Sequence, residues 1–308
     1  MPATPQYRSP QLEKKLGCRL WVKHENHTPV GAFKVRGGLV YIDDLATRSN
    51  CQAVICATRG NHGLSIAFAA KRAGIHATVV VPHGNSREKN AATSALGARI
   101  IEYGHDFQEA LEHAIALAHE KNVHFVPPFH PTLVRGVATA GLEFFRGSEP
   151  LDAVYAPIGL GSGICGLIAA RDALGLRTEI IGVVAENAPA VALSLERGAL
   201  TSAPANTIAD GMACRTPNTE ALALLQRHQP RIVRVSDAEI AAAMKTYFTD
   251  THNIAEGAGA AALAAALNDP LRPRYRSVGV MLTGANVDLD VFQKAVDATV
   301  SLATVSST

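Results

Sequence analysis

Aromatic residues are scarce, 5% of the 308 residues with a single tryptophan, and no basic block compensates: 29 Lys and Arg face 27 Asp and Glu, a formal net charge of +2. A nucleic-acid surface needs clustered cations and stacking rings, so a small-molecule partner is the expectation instead. Long apolar runs are also missing. None approaches the ~18 uninterrupted apolar residues of a spanning helix, and residues 1–10 are polar and proline-rich rather than a leader. No membrane association is expected, and a soluble, cytoplasmic protein is. The five cysteines, Cys18, Cys51, Cys56, Cys165 and Cys214, are odd in number and none stand in close pairs. That argues against zinc sites and redox dithiols and for reduced core thiols. Low-complexity sequence is absent, and the tail 303–308 is the one stretch expected to be disordered.

What is present is apolar residue in quantity, 47% of the chain against 18% charged, enough for one large core or two modest ones. Short apolar runs alternate with Ala-rich helical stretches: 53–56 then 64–73, 77–81 then 87–96, 99–102 then 107–119. The second half repeats the pattern, with 153–157 before a helix from about Gly163, 179–184 before another, and 277–282 near the end. Such alternation implies right-handed crossovers and parallel sheets covered on both faces. We expect an α/β protein of two doubly wound units with a cleft between them. The boundary falls near 129–136, where Pro127, Pro128 and Pro131 interrupt the helical pattern.

Four segments carry glycines or small polar residues at predicted strand ends, where open α/β sheets bind ligands. In Gly31-Ala32-Phe33-Lys34-Val35-Arg36-Gly37-Gly38, a lysine sits in an apolar, Gly-flanked stretch. It is either an amphipathic surface lysine or a chemically used one, since a Schiff-base lysine needs a desolvated pocket and a depressed pKa. In Thr58, Arg59, Gly60, Asn61 and His62, backbone N–H groups at a helix start can bind a carboxylate, or the loop is a simple capped turn. Gly159, Leu160, Gly161, Ser162 and Gly163 follow a predicted strand, and alternate glycines let successive N–H groups converge on a phosphate. A dinucleotide fingerprint would instead use Gly161, Gly163 and Gly166, leaving Gly159 without a purpose. Thr283, in Thr283-Gly284-Ala285-Asn286, either reaches a ligand ring or caps the next turn.

Together these motifs resemble the fold-type II pyridoxal 5'-phosphate (PLP) enzymes, and within them the threonine and serine dehydratases and serine racemases. The resemblance runs from about Ser9 to Asp288, with Phe33-Lys34 before Arg36-Gly37, the asparagine loop 58–62 and the glycine loop 159–163 in the family's order. Thr207-Ile208-Ala209-Asp210-Gly211, Glu256-Gly257-Ala258-Gly259-Ala260 and Thr283-Gly284-Ala285-Asn286 complete the set and favour the dehydratase branch over the cysteine synthases.

The resemblance implies a tryptophan synthase β-like fold, with 1–45 and 135–308 as a large PLP-binding domain and 46–134 as a small one carrying the asparagine loop. It implies that Lys34 holds PLP as a Schiff base, Phe33 packs on the ring, Asn61 bonds the 3'-oxygen, and Gly159, Leu160, Gly161, Ser162 and Gly163 cradle the phosphate. Glu256 would support the ring. Thr283, a neutral hydroxyl near the pyridine nitrogen, would favour elimination over transamination. A substrate carboxylate would lie against Thr58, Arg59, Gly60, Asn61 and His62. The implied reaction dehydrates a β-hydroxy amino acid of the threonine, serine, 3-hydroxyaspartate or 3-phenylserine type to a 2-oxo acid and ammonia. A racemase, a β-replacement enzyme or a non-catalytic ligand-binding relative are the alternatives, and a homodimer is common in the family.

Three departures from the family pattern matter. Arg59 stands where relatives carry a small residue and some racemases a second acid–base group, so a racemase role loses its proton donor. Arg59 either pairs with an extra substrate carboxylate or constrains its loop. Glu186 matches an acid of cation-binding relatives, but Ala192 stands where they place another, so no strong metal site is expected. The N-terminal helix and the C-terminal regulatory extension of some relatives have no counterpart, so feedback by an end-product amino acid is not expected.

Overall fold

The computed structural model of the chain describes residues 1–305, with side chains to residue 297. Its strands are β1 (Gln6–Arg8), β2 (Arg19–His24), β3 (Ala53–Ala57), β4 (His76–Val81), β5 (Arg99–Glu102), β6 (His124–Phe125), β7 (Ala153–Pro157), β8 (Glu179–Ala185), β9 (Arg231–Val235) and β10 (Ser277–Leu282). They build a six-stranded sheet ordered β1-β2-β10-β7-β8-β9 and a four-stranded sheet ordered β5-β4-β3-β6. All pairings are parallel except that of β1 with β2. Two parallel-sheet units were expected from the alternation of apolar runs and helices, and two are found.

Strand composition follows from position. β10 is buried along its whole length and β7 all but its last residue, so both read as continuous apolar runs between helical layers. One layer includes the helix Gly257–Asn268, whose residues are apolar all round and buried through Ala266, as an Ala-rich helix must be when enclosed on every side. The other includes Pro131–Gly147 and Ser162–Ala173, which contribute Phe144, Ile164 and Leu167 to the opposite core. In this sheet the winding reverses at β7: the chain proceeds to β8 and β9 on one side and returns to place β10 on the other. A reversal of this kind opens a crevice at the C-terminal ends of the two adjacent strands.

The helices Lys34–Arg48 and Pro131–Gly147 pack backbone to backbone. A Cβ on Gly136 would lie 2.3 Å from the Arg36 carbonyl oxygen, and one on Gly37 would lie 2.9 Å from that of Leu133. Glycine is required by this contact. Pro131 does not interrupt a helix, as the sequence reading had it; it sits in a first turn, where its missing N–H is no loss. The helix Leu289–Val305 also takes in 303–305, where disorder was expected, because no glycine or proline ends it earlier. The remainder of that tail, 306–308, lies outside the described residues. All five cysteines are free, but only Cys56 and Cys165 are buried. No helix of the described residues is long and apolar enough to cross a membrane.

The first turn of Lys34–Arg48 has no side-chain cap. Arg36 holds it instead, donating through Nε and Nη2 to Glu25 at 2.7 and 2.9 Å and through Nη1 and Nη2 to Glu143 at 2.6 and 2.7 Å. Lys23 Nζ adds a third bond to Glu143, at 2.7 Å. Arg36 and Glu25 are both buried, so truncating the arginine strands a carboxylate in the core. We expect Arg36→Met to cost about 3–5 kcal/mol. A urea-unfolding midpoint unchanged from wild type at equal slope would refute this.

Candidate active site

The segments at the strand ends converge. Residues 58–62 follow β3, 159–163 follow β7 and Thr283 follows β10, and together with Phe33, Lys34 and Glu256 they line one cleft. Its empty space is about 840 Å³, the open mouth included.

Lys34 is presented by a segment sewn onto the end of β10. Ala32 bridges Gly284, the Phe33 N–H donates to the Thr283 carbonyl at 3.0 Å, and the Ala285 N–H donates to that of Gly31 at 2.9 Å. Lys34 Nζ donates to Ser162 Oγ at 2.7 Å and lies 5.2 Å from the centre of the Phe33 ring. Part of the side chain is open to the cleft, but the amine is deep enough that burial pushes its pKa down to about 8. The surface-lysine reading is thereby removed.

The glycine loop ends at Gly161, whose φ of +99° favours glycine, and the helix it opens, Ser162–Ala173, has no side-chain cap. Its first-turn N–H groups are available to an anion, which the positive end of the helix dipole favours. Side chains are excluded at two positions of the loop: a Cβ on Gly159 would stand 2.2 Å from the Gly211 carbonyl oxygen, and one on Gly161 2.7 Å from the Ala221 methyl. A bare cradle of this kind, one hydroxyl away from a desolvated amine, suits a ligand carrying both a phosphate and a carbonyl.

In the asparagine loop, Thr58 Oγ1 accepts the Gly60 N–H at 2.8 Å, so this side chain serves the turn. The helix Asn61–Ala73 also begins without a side-chain cap, leaving its first N–H groups for a carboxylate. Asn61 is clamped from two sides: its Nδ2 donates to Glu256 Oε1 at 2.6 Å, and its Oδ1 accepts from Asn286 Nδ2 at 2.9 Å. His62 is buried with Nε2 unpartnered. Burial, aided by the nearby Lys34 charge, pushes its pKa down to about 3, so the ring is neutral. Thr283 is buried at the cleft wall, and Glu186 is exposed. Among the described residues no group of three or more His, Cys, Asp or Glu is placed to hold a metal ion.

Three cleft residues escaped the sequence reading as site residues. Lys89, in the helix Arg87–Ala95, reaches across to Asp210 Oδ2 at 2.6 Å and Glu256 Oε2 at 3.0 Å, although its side chain is 4% exposed. Burial opposes its charge, but the two carboxylates outweigh that and hold its pKa above the ordinary value. Burial also raises the Glu256 carboxyl, against the pull of Lys89 and with a further push from Asp210. Cys214 is the third, a thiol that burial raises to about 11 although Lys34 and Arg59 both favour its anion. No local pattern marks Lys89 or Cys214, and Asp210 stands in the 207–211 motif without a role until the fold pairs it with Lys89, 121 residues away.

Residues 2–284 match the model of a family described as pyridoxal-phosphate dependent enzyme. The chain is 32% identical over 288 residues to an L-threonine ammonia-lyase of Thermotoga maritima, covering 93% of itself and 72% of that protein. It is 31% identical over 290 residues to a biosynthetic L-threonine dehydratase of Haemophilus influenzae, spanning little more than half, 56%, of that longer relative. Among solved structures it is similar to the processed form of threonine deaminase isoform 2 from Solanum lycopersicum, with a TM-score of 0.89, 30% identity, and coverage of 96% of this chain and 88% of that one.

Proposed function

Because the chain belongs to the pyridoxal-phosphate dependent enzymes of fold type II, we propose that it is a dehydratase that takes water and then ammonia from a β-hydroxy amino acid. One observation carries the reading: the desolvated Lys34 amine touches Ser162 of the bare glycine loop, so an attachment point and an anion cradle, 128 residues apart in sequence, form one site. In this proposal Lys34 is the point of covalent attachment, 159–163 hold the phosphate, Asn61 bonds the ring's phenolic oxygen, and Phe33 packs against the ring. The bound coenzyme supplies a sink for the electron pair left at Cα when its proton departs.

The protein's own groups do the rest. The uncapped N–H groups at the start of the helix Asn61–Ala73 would take the substrate carboxylate and so fix which Cα bond faces the coenzyme. Lys34 would take the Cα proton, since the burial that lowers its pKa to about 8 favours a neutral, basic amine near neutral pH. The β-hydroxyl would leave as water with the proton that Lys34 took from Cα, and the released enamine would hydrolyse to a 2-oxo acid and ammonia. Thr283 offers a neutral hydroxyl where a carboxylate would stabilise a pyridinium, which supports elimination over transamination. Residues 1–45 with 135–308, and 46–134, are read as the two lobes closing on substrate. A homodimer working in the cytoplasm, where free thiols stay reduced, belongs to the same proposal.

The test is a product assay of the PLP-loaded enzyme over serine, threonine, 3-hydroxyaspartate and 3-phenylserine. Equal amounts of 2-oxo acid and ammonia are expected from at least one of them. Accumulation of the D-amino acid without ammonia would replace the proposal with racemisation.

A further inference from the structure

Among the described residues two cleft cations have no carboxylate partner: Lys34, whose amine donates to Ser162, and Arg59. Asp210 and Glu256, the acids lining the inner cleft, are both taken up by Lys89. Asp106, in the vestibule that continues the cleft outward, is paired with Arg215 at 3.0 Å. Among the described residues Arg59 has no ion pair, and its Nε is shut off from water with no hydrogen-bond acceptor. A guanidinium in this condition is incompletely satisfied until an anion arrives.

The loop-constraining role has no bond to act through. The turn is held by Thr58, whose N–H donates to the Val80 carbonyl at 3.0 Å and whose hydroxyl caps Gly60. Arg59 contributes nothing to either. It stands at the junction of two spaces, lining both the inner cleft with Lys34 and the outer vestibule, where Phe107, Pro128 and Leu160 are its shared neighbours. Cys214 lines both as well, and the charges of Lys34 and Arg59 both reach its thiol, so the guanidinium and the amine face a common space.

We propose that Arg59 receives a second substrate carboxylate carried on Cβ, so that the preferred substrate is a β-hydroxy amino dicarboxylic acid, 3-hydroxyaspartate being the smallest. This rests on the dehydratase reading and narrows it. The planar fork of an arginine matches a carboxylate at two points, and the α-carboxylate already has the uncapped N–H groups at the start of the helix Asn61–Ala73. A carboxylate on Cβ also puts negative charge beside the carbon that loses its proton. A fixed guanidinium offsets that charge where it matters for the rate. The elimination itself is unchanged: Cα loses a proton, Cβ loses hydroxide, and the distal carboxylate stays in the product.

The experiment compares wild type, Arg59→Ser and Arg59→Lys, all PLP-loaded, by kcat/KM for 3-hydroxyaspartate and for serine. The ratio of the two should fall ~100-fold in Arg59→Ser, the loss of a charge-assisted pair, and partly recover in Arg59→Lys, which keeps the charge without the fork. A second readout is independent of turnover: succinate should raise the melting temperature of wild type and not of Arg59→Ser, while butyrate separates neither. An unchanged ratio, or succinate protection of both proteins alike, would overturn the inference. Equal losses for serine and 3-hydroxyaspartate would overturn it too, by assigning Arg59 to the α-carboxylate. If wild type turns over no β-hydroxy amino acid yet succinate protection still requires Arg59, the dehydratase reading fails and the anion subsite stands.

Discussion

Lys34→Ala gives a protein that, once unbound PLP is removed, lacks the absorbance of the lysine-attached coenzyme and whose kcat/KM for 2-oxo acid formation is lower by at least ~10³-fold. Two functions are lost together, the covalent tether and the base that takes the Cα proton. The coenzyme's phosphate cradle is untouched, so residual noncovalent binding is expected while the absorbance of the attached coenzyme is not. A variant that remained yellow and active would end the proposal. The same amine sets a pH dependence. Only its neutral form can attack the coenzyme carbonyl, and with a pKa of about 8 the neutral fraction reaches half there. Coenzyme uptake by the apo protein should therefore quicken as pH rises through about 8 and level off above it. An ordinary lysine would keep accelerating to about pH 10.4. Stopped-flow absorbance at a series of pH values decides between the two.

Lys89→Met should cost about 3–5 kcal/mol of stability, as much as Arg36→Met, and should damage the site as well. Its ammonium compensates Glu256, which is 3% exposed, and Asp210, which is partly buried, so its removal leaves two neighbouring acids without a cation. Coulomb pairing holds Lys89 above its ordinary pKa, so its contribution is present throughout the neutral range and disappears only in strong alkali. Glu256 also holds Asn61, so loss of the lysine should loosen the asparagine loop and raise KM as well. The double substitution Lys89→Met with Glu256→Gln removes the more deeply buried of the two stranded charges and should recover part of the loss. Urea unfolding of wild type, the single and the double variant measures it. A single variant as stable as wild type would show that the triad is not a buried ionic unit.

The parallel-sheet architecture could be read along the chain because buried strands impose continuous apolar runs and their crossover helices impose an Ala-rich period, both local properties. The runs at 153–157 and 277–282 coincide with β7 and β10. The weaker strands escaped. β2 and β9 are interrupted by charged residues, Lys23 in one and Arg231 and Arg234 in the other, which find partners in Glu143, Glu179 and Glu196 only after folding. Pro131 misled for a related reason: a proline reads alike at a helix start and at a break, and the N-cap His130 decides between them.

Glycines at 159, 161 and 163, the lysine at 34 and the asparagine at 61 were legible as candidates because their backbone demands and burial costs are written into short stretches. Charge compensation was not. Whether a cation in this cleft is a tether, a bridge or a free receptor depends on what lies opposite, and Lys34, Lys89 and Arg59 meet Ser162, two carboxylates and no acid respectively. Electrostatic energy depends on distance through space, and residues more than a hundred positions apart acquire one only when the sheets close on each other. Local sequence thus set the strands, the bare loops and the chemistry on offer, while the packing of the two sheets assigned each charge its partner.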